Sequence, residues 1–598
     1  MLIATLHAQA SIIRIVRRKQ DMRSRKSIVL SLGALATILV MVLSACGGTT
    51  GGTGGQAPDS KQVLSVSLVP AANDIRRLDP QKITDLYSFE AAQPVFPALY
   101  TFDNDYKIVP WAAADQPTIS NGGLTYTFKI RPNLKWSDGT PIDANTFAYS
   151  WNRGLDPCTT SGGSSYLYPI KGAAAFNSGT CPDANATNPV STDTLIGKSI
   201  QVPDPQTLVV TLEKPYAYFL PTIAATAIAL GSPKQLIEKY GLKDWTEHLA
   251  DSGGFGGSLF KVTLWDHKGN LQLTRNDAFW GTKPKLRQIN FKIYKDADTS
   301  YNSYLNGQVD VGVGGLPPTA TYKQMKARSD FHQVENLANS YLAPNWKKPP
   351  FDDLAARQAF ALAVDRNALN AVAQGAGLPS YHIVPKGEPG YFDGLKNIDG
   401  STGDAANKAN TAKAKQLITD YANRKCGGDI TKCPKVTYET SNTPSNIAGS
   451  QALLQMWKTA MPGYPVTISN VDFGTLINDV YSGDAPQLFG IGWIVDYPDP
   501  QDWLSLQFLP GSSVNVQNIN DPTANDLMNK ADVEQDQTKR FQMYNQAEQI
   551  MINEVGWIVT NQQIAVWLFN SSKVAGYRQS TSGYTTLPDW QSNVYVKG

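Results

Sequence analysis

The side chains best suited to acid–base or metal chemistry in this 598-residue chain do not gather into a constellation. His7, His248, His267, His332 and His382 are scattered, and no two of them share a spacing that would let one helix or hairpin present both to a metal. There is no Gly-x-Ser-x-Gly elbow, no His-Glu-x-x-His, no phosphate loop and no dinucleotide fingerprint. Asp296-Ala297-Asp298 hints at calcium spacing, but the glycine and distal glutamate of a calcium loop are missing, so it reads as a solvated turn. No metal and no cofactor is expected. A two-carboxylate glycosidase leaves no compact signature, and with 13 Trp and 26 Tyr a carbohydrate-active enzyme is the rival from another class. Packing of the core and of lobe interfaces accounts for most of those aromatics.

One polar group is placed by pattern. Leu488-Phe-Gly-Ile-Gly-Trp-Ile-Val495 is continuously apolar, which predicts a strand buried on both faces, and Asp496 stands where it ends. Ligands of α/β lobes sit beyond the carboxyl ends of strands, which would turn Asp496 toward a cleft. The residues alone favour a turn-former or a cap. Trp493 and Tyr497 flank the carboxylate, and Gly490 and Gly492 would let a ligand backbone approach the strand.

The elements that must carry this group alternate between two periods. In Leu124-Thr-Tyr-Thr-Phe-Lys-Ile130, Tyr126, Phe128 and Ile130 share one face, the mark of a half-buried strand. After the Ser137-Asp-Gly-Thr-Pro141 turn, Asp143 stands as N-cap to a helix with Phe147, Ser150 and Trp151 at helical spacing. Thr207 to Leu212 reads as a strand stopped by Lys214-Pro215. Helices are expected at 355–364, 405–421 and 538–553, the last with Phe541, Tyr544, Ala547 and Met551 on one stripe, and strands at 466–468 and 488–495. Such a mixture implies α/β lobes.

The amino terminus has the layout of a secretory signal: Arg23, Arg25 and Lys26 precede an apolar run from Ile28 to Leu43. The run is shorter than the roughly 20 residues a spanning helix needs, and it closes on Leu43-Ser-Ala-Cys46 followed by two glycines. Small residues before a cysteine resemble a bacterial lipobox, with Cys46 as the lipidated residue; an uncleaved membrane anchor is the competing account. Residues 1–45 are thus expected to be a leader, with 1–21 upstream of the true start, and 46–60 a glycine-rich tether. Residues 1–45 carry seven Lys and Arg and one Asp, so their removal takes the formal charge from +2 to −4 and leaves no footprint for nucleic acid. Cys158 with Cys181 and Cys426 with Cys433 form two sequence-local pairs, which in an exported chain suggests disulfides. The remainder is too long for one core, so at least two lobes are expected.

Beyond composition, the residues resemble a known family, the oligopeptide- and dipeptide-binding proteins of bacterial ABC importers, or family 5 solute-binding proteins. The likeness runs from about residue 62 to the carboxyl end. It is carried by Leu78-Asp-Pro80, Lys135-Trp-Ser-Asp-Gly-Thr-Pro141, Leu305-Asn-Gly-Gln-Val-Asp310, Pro349-Pro-Phe-Asp-Asp353, Arg357 to Arg366 and Gly492-Trp-Ile-Val-Asp-Tyr-Pro-Asp-Pro500. The resemblance implies a bilobal, periplasmic-binding-protein-like α/β fold with an extra domain inserted in the first lobe. Lobe I would combine 61–96, 232–340 and 560–598, the extra domain 97–231, and lobe II 341–559. It also implies that Asp496 pairs with the α-ammonium of a bound peptide, with Trp493, Tyr497 and Gly492 around it and Tyr341 and Asn345 at the cleft or hinge. Function by resemblance is that of a non-enzymatic, monomeric receptor, lipid-anchored outside the cytoplasmic membrane, that delivers peptides to an ABC permease and ATPase complex. A receptor for an oligosaccharide or metal chelate on the same scaffold, or a lipid-anchored hydrolase, are the alternatives. Relatives that bind tripeptides place an arginine three residues before the tryptophan, where this chain has Gly490.

Overall fold

The computed structural model describes residues 55–70, 74–103, 105–318 and 320–598. Cys46, the leader and most of the tether lie outside the described residues. Residues 56–598 form one compact unit. No helix among the described residues is long and apolar enough to cross a membrane.

The local readings of strand and helix are largely met. Thr125–Lys129 and Thr207–Thr211 are antiparallel neighbours in a four-stranded sheet. Asp143 caps Ala144–Leu155 in a full capping box with Thr146, and that helix buries Phe147 and Trp151 completely. Trp151 meets Phe128 edge-on at 6.0 Å and donates its indole N–H to Ala229 O at 3.0 Å. Helices Leu354–Leu362 and Gln537–Glu554 lie where periodicity puts them. Tyr544, Ala547 and Met551 of the latter are buried, whereas Phe541 is half-buried.

Two expectations need correction. The helix expected at 405–421 is broken: Gly403–Ala406 ends, and Thr411–Lys425 starts afresh with Asn410 as its cap, accepting from Lys413 N at 3.1 Å. Asparagine favours caps over helix interiors because its side chain competes for backbone groups. Asp296 is likewise the cap of a helix, Ala297–Leu305, and not part of a free turn.

The largest sheet has 11 strands, and its centre carries the argument. Two long strands, Phe331–Pro344 and Ile558–Phe569, run antiparallel through it and serve two separate cores. Near Phe331 and Leu568 they belong to packing shared with Tyr322 and Met325; near Leu342 and Ile558 they enter a core with Phe360, Trp457 and Leu488. Their register slips between Glu335 and Asn339. The larger apolar cluster draws on residues 57–311 and 567–596, and another on 337–559. Between residues 312 and 566, Tyr497 is a buried member of the first of these and Val334 packs against it.

Several motif residues are scaffold. Asp79 takes both terminal nitrogens of Arg153 in a buried pair, at 2.8 and 2.5 Å, with Trp245 Nε1 at 3.3 Å. Trp136 is buried, and Asp138 closes its turn by accepting from Thr140 N at 2.9 Å. Both cysteine pairs, Cys158–Cys181 and Cys426–Cys433, are disulfide-bonded.

Candidate functional site

The apolar strand predicted before Asp496 is Leu488–Ile494. On one side it pairs antiparallel with Phe331–Pro344 over its whole length, from Pro344 opposite Leu488 to Ala338 opposite Ile494. On the other, Val436–Ser441 meets it only at Leu488 and Phe489. From Ile491 to Ile494 that edge has no ladder partner among the described residues. Burial follows the pairing: Leu488, Phe489 and Gly490 are buried, Ile491, Trp493 and Ile494 half-buried and Gly492 exposed. The expected strand buried on both faces is therefore buried only in its first half, where it is paired on both sides.

Asp496 follows this open edge, and its side chain faces another part of the molecule. The Tyr166 hydroxyl donates to Asp496 Oδ2. Tyr166 sits in a 3-10 turn, Ser164–Leu167, that packs with the first core. Tyr497 is buried, meets Tyr166 edge-on at 6.2 Å and stacks on Tyr218 at 6.2 Å, and its hydroxyl donates to Gln501 Oε1. Burial raises the Asp496 carboxyl to about 6, with the Tyr166 hydroxyl opposing that rise. Burial also pushes Tyr166 well above the usual phenol range, reinforced by the Asp496 charge and by their hydrogen bond. Tyr481, an exposed aromatic, is close enough for Asp496 to raise its phenol further once burial has done so. A carboxylate that is half-buried, faced by phenols and free of any ion pair among the described residues is poised for a cation.

Behind it lies Asp502, fully buried, whose Oδ2 accepts from Trp493 Nε1 and from Asp496 N, both at 3.1 Å. The other aspartate of the motif points inward: Asp499 pairs with buried Arg540 and caps Pro500–Trp503. Asp532 accepts from Ser505 and Tyr544, both at 2.6 Å, and burial raises it to about 6.

The structure thus links Asp496 to Trp493 through Asp502 and, with Tyr497, to Tyr166, and treats the other sequence-derived site residues differently. A Cβ on Gly492 would stand 2.8 Å from Gln563 Nε2, and one on Gly490 would stand 2.2 Å from the Tyr438 hydroxyl. The room at these α-carbons is taken by the protein's own side chains, so the glycines are required by internal packing and not only by an approaching ligand. Tyr341 is buried and stacked on Trp557 at 3.7 Å, with Tyr481 near its hydroxyl. Asn345 lies past the opposite end of the strand from Asp496 and ties two loops, donating to Ala485 O at 3.0 Å and accepting from Asn518 Nδ2 at 3.2 Å. Tyr166, Tyr218, Tyr481 and Asp502 escaped the sequence reading. Asp502 had a signal, an acid six residues after Asp496 in a turn capped by Asp499; Tyr166 had none, being 330 residues away.

No group of three or more potential metal ligands is found among the described residues. A depression of about 520 Å³ lies elsewhere, lined by Lys171, Phe176, Leu195 and Lys198. It does not include Asp496, whose carboxyl is faced by Tyr166.

Residues 107–515 match the model of the bacterial extracellular solute-binding proteins, family 5. The chain is 30% identical over 544 residues to the oligopeptide-binding protein OppA of Bacillus subtilis, covering 89% of this chain and 93% of that one. It is 27% identical to the dipeptide-binding protein DppE of the same organism, over 87% of this chain and 91% of the relative. In three dimensions it resembles the murein tripeptide-binding protein MppA of Escherichia coli, with a TM-score of 0.72, 23% identity and coverage of 90% and 98%. It also resembles Haemophilus influenzae OppA in complex with the peptide RPPGFSPFR, with a TM-score of 0.71, 21% identity and coverage of 91% and 100%. The bilobal α/β fold is shared with these proteins. A match across two thirds of the sequence, a shared fold and a curated relative aligned nearly end to end agree: this chain belongs to the family 5 bacterial extracellular solute-binding proteins.

Proposed function

We propose that this protein is a peptide receptor: it captures oligopeptides or dipeptides between its lobes and delivers them to an ABC permease and ATPase complex, without breaking a bond. One observation carries the reading. A half-buried carboxylate, Asp496, lies at the end of a strand whose Ile491–Ile494 edge is unpaired, opposite a tyrosine from the other core. A peptide laid along that edge would bond main chain to main chain as an added strand. Its α-ammonium would reach Asp496 for a charge-assisted bond worth about 1.5–3 kcal/mol. Side chains would then contribute little to selection, which suits a receptor for many sequences.

The lobe assignment is part of the proposal: 61–96, 232–340 and 560–598 for lobe I, 97–231 for the extra domain and 341–559 for lobe II. The apolar clusters support setting 341–559 apart, although residues 97–231 share one cluster with lobe I, and the register slip between Glu335 and Asn339 is where the crossing strands would bend. Ligand would favour the closed arrangement by bridging both lobes. The lipobox at Cys46 supports anchoring on the outer face of the cytoplasmic membrane; we take the receptor to act there as a monomer.

Native mass spectrometry of the protein as purified tests the reading. Co-purified peptides are expected; a bound oligosaccharide or metal complex would assign a different solute to the scaffold, and cleavage of an added peptide mixture would make it a hydrolase.

A further inference from the structure

One buried carboxyl touches the site from behind. Asp502 lies in Pro500–Trp503, whose first turn is held by Asp499 accepting from Gln501 N at 2.9 Å. Its Oδ2 receives two donors that belong to the site, the Trp493 indole and the Asp496 amide, each at 3.1 Å. Its Oδ1 has no hydrogen-bond partner among the described residues. The groups that act on it are acids: Asp496 in front and Glu388, itself buried, beyond. Arg540, the buried cation of this region, is engaged by Asp499. Burial and these acids push the Asp502 carboxyl well above its usual range, while the two N–H donors pull the other way. Burying an acid without a cation is costly, yet this one is placed where a single oxygen joins the ring and the main chain that bracket the open strand edge.

We propose that Asp502 is a positioning residue whose Oδ2, by clamping the Trp493 indole and the Asp496 amide together, sets the preference of the site for solutes with a free ammonium group. The proposal rests on the peptide-receptor reading and adds to it the part that aims Asp496. A charge-assisted bond needs its atoms within about 0.5 Å of the productive geometry. Asp496 has no other described hydrogen bond from its own main-chain N–H than the one to Asp502. With the clamp cut, the carboxylate keeps its charge but loses its aim.

The experiment is calorimetric titration of the whole protein with a peptide and with its N-acetylated form, for the wild type, Asp502→Ala and Asp502→Asn. The wild type should prefer the free amine by ~10- to 100-fold. Asp502→Asn, whose amide oxygen can accept the same two N–H groups, should keep that ratio within about threefold. Asp502→Ala should drop it below about threefold while binding the acetylated peptide as the wild type does. A ratio unchanged in Asp502→Ala, or an equal loss for both peptides, would overturn the proposal, since a purely structural role moves both alike. A wild type that ignores acetylation would instead overturn the peptide-ammonium reading and this proposal with it. Should Asp502→Ala fail to fold, Trp493→Phe cuts the same clamp at its other end: a fall of at least about threefold is expected, and an unchanged ratio refutes the clamp.

Discussion

Replacing Asp496 with asparagine separates the two effects of this carboxyl, one on binding and one on stability. In the folded protein burial raises it from 3.8 to about 6, so the native chain holds that proton more tightly than the unfolded chain does. Ionised Asp496 therefore destabilises the empty protein. The penalty is fully present above about pH 6, shrinks as the pH falls, and is gone below the unfolded value near 4. The full shift would correspond to about 3 kcal/mol; because the side chain is only half-buried, solvent screening reduces this to about 1–2 kcal/mol. Asparagine carries no such penalty and can still accept the Tyr166 hydroxyl. Asp496→Asn should then melt about 1–2 °C above the wild type at pH 7.5, with the gap closing as the pH approaches 4.5. Peptide affinity should fall ~10- to 100-fold at the same time. Scanning fluorimetry across that pH range, with calorimetric titration at pH 7.5, measures both. A variant that melts lower at pH 7.5, a gap that does not change with pH, or an unaltered affinity would refute the reasoning.

Three further outcomes are expected. In Tyr166→Phe the hydrogen bond that holds the Asp496 carboxyl down is lost, so its midpoint moves above 6, and titration should show a greater loss of peptide affinity at pH 6.5 than at pH 8. Gly490→Ala should cost about 1–3 kcal/mol in a denaturant melt, because the new methyl meets the Tyr438 hydroxyl; Tyr438→Phe in the same chain should recover part of it. Of the two disulfides, Cys158–Cys181 closes a separation of 23 residues and Cys426–Cys433 one of 7. Loop-closure entropy then gives about 3.4 and about 2.4 kcal/mol, so paired Cys→Ser replacement should lower the melting temperature more for the first.

Packing at Gly490 also leaves no room for the arginine that the resemblance would associate with a tripeptide binder. An arginine there would meet Tyr438, which already occupies the space over that α-carbon. On the peptide-receptor proposal, the carboxyl end of a peptide would find its partner elsewhere or stay hydrated, and hydrated contacts tolerate variation in length.

Local order was legible in the sequence because its causes are local. Alternation at Tyr126, Phe128 and Ile130, the acid before Ala144 and the apolar run into Asp496 depend on neighbours within four residues, and each became the element its pattern demands. The broken helix at Asn407–Asn410 was misread because an asparagine can sit within a helix or cap one, and packing decides between them. The same limit applied to the motif aspartates. Asp79, Asp496, Asp499 and Asp502 are chemically identical as residues, yet one is paired with Arg153, one accepts from the Tyr166 hydroxyl, one is held by Arg540 and one clamps an amide and an indole. Family membership and the strand that ends just before Asp496 could be read from residue order, since they are carried by motif and by periodicity. Which edge of that strand lies open, that Tyr166 from 330 residues away closes over Asp496, and that burial lifts its acidity were decided only in three dimensions. Solvation and long-range contact belong to the folded surroundings of a group, and no stretch of chain contains them.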